Sequence, residues 1–202
     1  VNNKTAFNPS KKLAKLTGNL VVANPLNSNG DGLDHGVVMI VSHTEEHVIG
    51  LQINRPISTL SLADVCARVD VDYDGDDLVF HGGRHSTNKI YVLHTMDWEG
   101  LTTIPLTDTV GITYDMSVLT AIARGEGPEH FTACAGFTCW DDDVLEKQLA
   151  AKPNSKVTHR WELIPATIDA VFNSGLGLEH WHSMIELCAE QQAAQWLQSF
   201  SG

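Results

Sequence analysis

The longest apolar run in the chain, Val37-Val38-Met39-Ile40-Val41, restricts what this sequence can fold into more than any other feature. Its residues are mostly β-branched and do not alternate with polar ones. A run this short and this apolar reads as a strand buried on both faces. After Thr44-Glu45-Glu46 a second strand is expected over Val48-Ile49-Gly50-Leu51-Gln52-Ile53, and so short a connection favours an antiparallel hairpin. Gly50 in mid-strand costs stability and marks a bulge or a close approach of two backbones. Asn54-Arg55-Pro56 is expected to stop the strand, because Pro56 cannot donate to a ladder and holds Arg55 extended. The hairpin is therefore expected at the centre of the core.

The 202 residues, 43% of them apolar, suit one domain over residues 17–202 that buries roughly 70% of its unfolded surface. Residues 1–16 are polar and Lys-rich and read as a flexible N-terminal arm. No run approaches the ~20 apolar residues of a membrane span, and no signal-peptide pattern is read. Cys66, Cys134, Cys139 and Cys188 fit buried thiols in a reducing compartment, so a cytoplasmic protein is expected. The net charge of −12, from 25 acidic and 13 basic residues, disfavours direct nucleic-acid binding. The basic cluster of Lys4, Lys11, Lys12 and Lys15 lies in the arm.

Further strands are expected at residues 20–23, 78–81, 89–95, 101–106, 109–113, 130–139 and 161–164. Ser61 and Asp115 are candidate N-caps for helices reaching Arg68 and Ala123. A third helix is expected from Val144 to Lys152, with Asp141 to Asp143 favoured at its N-terminus. The clearest helical stripe is C-terminal: Met184, Ile185, Cys188, Ala189, Ala193, Trp196, Leu197 and Phe200. Strand and helix signals intermix without βαβ regularity. The fold class is α+β, a mostly antiparallel sheet or partly open barrel with helices packed on it.

Several patterns suggest chemistry and stop short of it. Asp70-Val71-Asp72-Tyr73-Asp74-Gly75 matches the start of an EF-hand loop, but His81 stands where a bidentate Glu is needed. It reads as a metal-free, exposed acidic turn. His43-Thr44-Glu45-Glu46-His47 fits a zinc-peptidase spacing that requires a helix, whereas here it flanks a hairpin turn. Cys139 precedes a helix N-terminus, which favours a thiolate, and Asp141 to Asp143 oppose it. His81, His85 and His94 lie close in sequence to the Gly82-Gly83 turn and would serve hydrolysis only if they met within hydrogen-bond reach. No cofactor fingerprint is present, and no cofactor is expected.

Taken together the segments resemble the AlgH-like (YqgE-like) family of bacterial proteins. The resemblance rests on Gly18 with Leu20-Val21-Val22-Ala23-Asn24-Pro25, on Val37, Val38 and His43, and on Gly50 with Asn54-Arg55-Pro56. It continues through Gly82-Gly83 with Leu93-His94, Gly136 and Trp140 with Leu145-Glu146, and Trp161, Pro165-Ala166 and Phe172. The chain departs from the family pattern at Leu33 to Gly36, at Arg84 (where the pattern has Pro) and at Asp143 to Gln148. The resemblance implies a compact α+β fold containing a flattened, partly open β-barrel. It also implies a regulatory role in transcription with no assigned catalytic activity.

The expected function is regulation through a protein partner or small ligand rather than catalysis. The expected binding surface gathers Asn54, Arg55, Gly82, Gly83 and Trp140, all at strand ends or turns, where binding groups are usually displayed. The alternatives are a hydrolase built on the three histidines and a direct DNA-binding regulator.

Overall fold

The computed structural model describes residues 16–26, 30–141, 143–151, 156, 158 and 160–200. The strands are β1 (Asn19–Ala23), β2 (Val37–His43), β3 (His47–Gln52), β4 (Pro56–Ser61), β5 (Leu78–His81), β6 (His85–Thr95), β7 (Ile104–Pro105), β8 (Val110–Thr113), β9 (Phe131–Asp141) and β10 (Trp161–Pro165). The helices are α1 (Leu62–Ala67), α2 (Met116–Ala123), α3 (Val144–Leu149), α4 (Ile168–Phe172) and α5 (Gly177–Ser199). Ten strands form one sheet in the order β10-β1-β2-β3-β9-β6-β8-β7, with β4 and β5 branching from β9. Every pairing is antiparallel except that of β5 with β9. The α+β, partly open barrel expected from the sequence is the architecture observed.

The central hairpin forms as expected. Val37 to Ile40 are fully buried, and β2 and β3 pair antiparallel with a register skip between Ile40 and Ser42. Gly50 faces that skip, and a Cβ on it would lie 2.6 Å from Val38 Cγ1 and 3.2 Å from the Trp140 ring. The glycine thus permits both the bulge and the close approach.

The bend of the sheet comes from β9. Its Thr138–Asp141 end pairs with β3, whereas Ala133 to Ala135 lie between β5 and β6. Gly136, at φ +72°, sits where the strand changes partners, and a Cβ there would lie 2.6 Å from the His85 carbonyl. Only glycine fits that turn.

Three expectations need correction. Pro56 ends nothing: β3 already stops at Gln52, and Pro56 opens β4, where a first strand residue needs no donor. Between residues 101 and 106 only Ile104–Pro105 pairs, and Leu101 is exposed. The third helix stops at Leu149, and its N-cap Asp143 makes no side-chain cap. Asp142 lies outside the described residues, as do the first fifteen residues of the arm. Leu16, the arm's last residue, is buried and accepts a hydrogen bond from the Asn19 amide.

Caps form where the sequence places them. Ser61 and Asp64 make a capping box on α1, and Asp115 accepts from the Ser117 amide to open α2. Helix α4 has no counterpart in the sequence reading. Thr167 caps it by accepting from Ala170. Helix α5 packs through His180, Trp181, Met184 and Cys188, while Trp196 and Phe200 remain exposed. A helical stripe reports amphipathicity and says nothing of how far the surface beneath it extends.

Candidate functional site: a cleft where three strands end

Strands β3, β5 and β9 converge where Gly82-Gly83 wedges between them. The Gln52 amide donates to the Gly82 carbonyl at 2.9 Å, and the Gly82 amide donates to the Ala135 carbonyl at 3.0 Å. A Cβ on Gly82 would lie 2.2 Å from the Gly136 carbonyl oxygen, and one on Gly83 2.0 Å from the Phe137 carbonyl carbon. Glycine is therefore required at both positions for the backbone to fit. Beside the wedge opens a cleft of about 380 Å³, closed on its far side by Asp31, Gly32 and Leu33.

Of the five residues expected to form a binding surface, Arg55, Gly83 and Trp140 line this cleft. Asn54 and Gly82 support it instead. Asn54 is buried; its Oδ1 accepts from the Val37 amide at 3.0 Å, and its Nδ2 donates to the His35 and Gly177 carbonyls at 2.8 and 2.9 Å. One side chain thus joins the start of β2, the end of β3 and the start of α5, and it has little capacity left for a ligand.

Two polar side chains on the cleft lining stand out. Gln52 is 3% exposed and Thr138 9% exposed. Neither the Gln52 side-chain amide nor the Thr138 hydroxyl makes a hydrogen bond to any described residue. Neither group is among the fully enclosed unpartnered atoms of the described residues, so both reach the open cleft and keep hydrogen-bonding capacity there.

Charge is divided around the Asp31–Leu33 turn. Arg160, 5% exposed, donates from Nη1 and Nη2 to the two Asp31 oxygens at 2.6 and 2.5 Å, and Asp34 lies 3.5 Å from Nη2. Burial alone would raise the Asp31 carboxyl, but the Arg160 hydrogen bonds and the Leu33 amide outweigh it and hold the group below its ordinary value. Across the turn, Arg55 donates from Nη1 to the Gly32 carbonyl at 3.1 Å. A Cβ on Gly32 would lie 3.2 Å from Arg84 Nη2 and 3.4 Å from Arg55 Nη1. Among the described residues neither Arg55 nor Arg84 pairs with a carboxylate.

His81 and His85 line the cleft, and the His85 ring stacks on Phe137 at 5.5 Å. His94 does not join them. It is fully buried, its Nδ1 donates to the Thr95 carbonyl at 2.9 Å, and its Nε2 lies 3.0 Å from the Thr113 hydroxyl. Burial lowers its pKa, with the Thr95 carbonyl opposing in part. The three-histidine cluster is therefore not assembled. Cys139 also lines the cleft, where burial and then the Asp141 charge push its thiol up, against thiolate chemistry.

The other sequence patterns resolve locally. His43 Nε2 lies 2.9 Å from Glu146 Oε1 in a largely buried pair that ties α3 to the end of β2. Asp77, in the acidic turn, accepts a hydrogen bond from Tyr73. Among the described residues no group of three or more His, Cys, Asp or Glu side chains is placed to hold a metal ion. No described helix is long and apolar enough to cross a membrane. A larger groove of about 660 Å³ runs along β6 between α1 and α2; its lining mixes Val65, Ile90, Val92 and Leu119 with Tyr91, Tyr114 and charged side chains.

Sequence reasoning missed Gln52, Thr138 and Arg84 as cleft residues. Gln52 carried a usable signal, since it is the one amide in an otherwise apolar strand.

The AlgH-like family profile (DUF179) matches residues 20–193. A UPF0301 protein of Alcanivorax borkumensis is 32% identical over 86% of this chain and 89% of its own length. A second, from Rhodospirillum rubrum, is 30% identical over 80% of this chain and 81% of its own. The solution structure of the AlgH protein from Pseudomonas aeruginosa superposes with a TM-score of 0.69 at 26% identity, covering 86% of this chain and 88% of that one. A crystal structure from Corynebacterium diphtheriae shares the fold at 13% identity, with a TM-score of 0.66 over 84% and 85% of the two chains. Since the profile spans most of the sequence and the relatives match over most of their own length, the chain belongs to the AlgH-like family.

Proposed function

We propose that this chain works by binding rather than by catalysis, as a regulatory protein of the cytoplasm whose ligand or partner side chain enters the cleft beside Gly83. The observation that carries this reading is the pair of polar side chains, Gln52 and Thr138, that make no side-chain hydrogen bond to any described residue and share one cleft lining with Arg55 and Trp140. A pocket with a few convergent polar groups is the usual form of a small-molecule site. The hydrolytic alternative loses His94 to a separate buried network, and burial, then the Asp141 charge, push the Cys139 thiol up, against thiolate chemistry. A direct grip on DNA is opposed by the net charge of −12. The regulatory role follows from the family resemblance.

Proton–nitrogen NMR of the labelled chain against a library of small metabolites tests the proposal. The expected result is a hit that moves the Gly83 backbone and Gln52 side-chain amide signals together. A library without such a hit, combined with identical partner sets captured by wild-type and Arg55→Ala protein, would overturn it.

A further inference from the structure

We infer that the cleft is built for a dianionic oxyanion and that its ligands are small phosphate monoesters with a hydroxyl-bearing body. The inference rests on the binding reading above and adds the chemical class.

The chain has only 13 basic residues against 25 acidic ones, yet two guanidiniums flank a single glycine, with no carboxylate paired to either among the described residues. Like charges this close repel. Asp31 across the turn is engaged by two donors of Arg160, so it offsets the repulsion only in part. Among the described residues Arg55 uses one donor on the Gly32 carbonyl and Arg84 makes no hydrogen bond, so most of their N–H groups remain available. Gly32, at φ +86°, has no side chain to occupy the space between them.

Two guanidinium forks offer more donors than a single carboxylate can accept, whereas the three terminal oxygens of a phosphate monoester span both. His81 and His85 line the same cleft, and each ring has at least one N–H in any tautomer. Gln52 and Thr138 add uncharged donors and acceptors on the lining, suited to hydroxyl groups on the ligand's body. A volume of about 380 Å³ is near the lower end of small-molecule pockets, which limits that body to a few carbons or one ring.

The test uses the intact chain at fixed ionic strength, with ribose 5-phosphate, inorganic phosphate and ribose as probes. Affinity is measured by calorimetry and location by the Gly83 and Gln52 NMR signals. Ribose 5-phosphate is expected to bind in the cleft, and ribose at least about ten-fold more weakly. Arg84→Ala, with its folding checked by circular dichroism, is expected to weaken ribose 5-phosphate at least about ten-fold. Thr138→Val should weaken ribose 5-phosphate and leave inorganic phosphate unchanged. The inference is overturned if no phosphate probe moves the cleft signals, if Arg84→Ala binds like wild type, or if inorganic phosphate binds as tightly as its ester. If a neutral or cationic metabolite from the library occupies the cleft while the phosphate probes do not, the anion inference alone fails. If nothing moves those signals, the binding reading fails with it.

Discussion

The two sides of the Asp31–Leu33 turn treat arginine in opposite ways. On one side Arg160 is buried and held by two oxygens of Asp31, with Asp34 close by. On the other, Arg55 and Arg84 are exposed and share no carboxylate. A buried guanidinium must be neutralised for the fold to stand, so the acids around Arg160 have a structural reason. Exposed guanidiniums need no such partner, and folding alone does not explain why two of them face one glycine. Asn54 and Arg55 repeat the contrast one residue apart: Asn54 has its amide committed to three backbone groups, and Arg55 keeps most of its donors. The lesson is that side chains whose polar groups are mostly engaged within the fold hold the cleft, and those with most of their groups spare face what enters it.

The largest expected effect falls on the paired side. Arg160→Ala removes the buried partner of Asp31 and the cation lying 5.2 Å from the Trp161 ring centroid. Breaking a fully buried pair from one side costs about 3–5 kcal/mol, and because the Asp31 carboxylate left behind is 37% exposed and can be hydrated, a urea titration should show a loss nearer about 3 kcal/mol. A loss under about 1 kcal/mol would mean that Arg160 is no more structural than Arg84, and the comparison would break. Next comes Asn54→Ala, which strands the Val37 amide and the His35 and Gly177 carbonyls. Buried groups left unpaired cost about 1–3 kcal/mol, so a loss of about 2–3 kcal/mol is expected after partial relaxation. Arg55→Ala in the same titration is the control.

A smaller effect depends on pH. The Asp31 carboxyl has a folded pKa lowered from 3.8, where burial raises it and the Arg160 and Leu33 hydrogen bonds prevail. A depressed carboxylate contributes stability that is fully present above its unfolded value of about 3.9 and is lost as pH falls through the lower folded value. Stability should therefore drop as pH is lowered from about 4 towards 2, and Asp31→Asn should flatten part of that slope. Asp64, Asp97 and Asp115 are also depressed, so a residual slope is expected in the variant. Identical slopes would detach Asp31 from the buried pair.

The sequence revealed the parts of this molecule whose physics is local. The hairpin of β2 and β3 was legible because burial on both faces removes polar alternation, and Gly50 marked the bulge that lies opposite it. Strand β4 was not, since Pro-Ile-Ser-Thr-Leu-Ser is short and half exposed and Pro56 reads as a stop. Helix α4 has only five residues, too few to show a period. Within the site, Arg55, Gly83 and Trp140 were legible as residues displayed at turns. Gln52 and Thr138 sit on strands rather than turns, and their meeting depends on β3 pairing with β9, which the chain order does not state. His94 belongs in sequence with His81 and His85, but its strand continues past the cleft into the core.

The smallest stability effect sharpens the comparison most. Arg84 makes no hydrogen bond to any described residue and sits beside another cation, so Arg84→Ala should change stability by no more than about 0.5 kcal/mol and relieves a repulsion. Arg55→Ala gives up one exposed hydrogen bond to Gly32 and should cost slightly more. In the double variant the repulsion is relieved only once, so the two single effects should fail to add by a few tenths of a kcal/mol, with the second removal less favourable than the first. Raising the salt concentration should shrink that coupling, because the pair is exposed to solvent. A destabilisation above about 1 kcal/mol for Arg84→Ala, or a coupling of the opposite sign, would show that the guanidiniums support each other in the folded chain. Arg84 would then belong with Arg160 among the residues that hold the cleft, and the contrast across the turn would disappear.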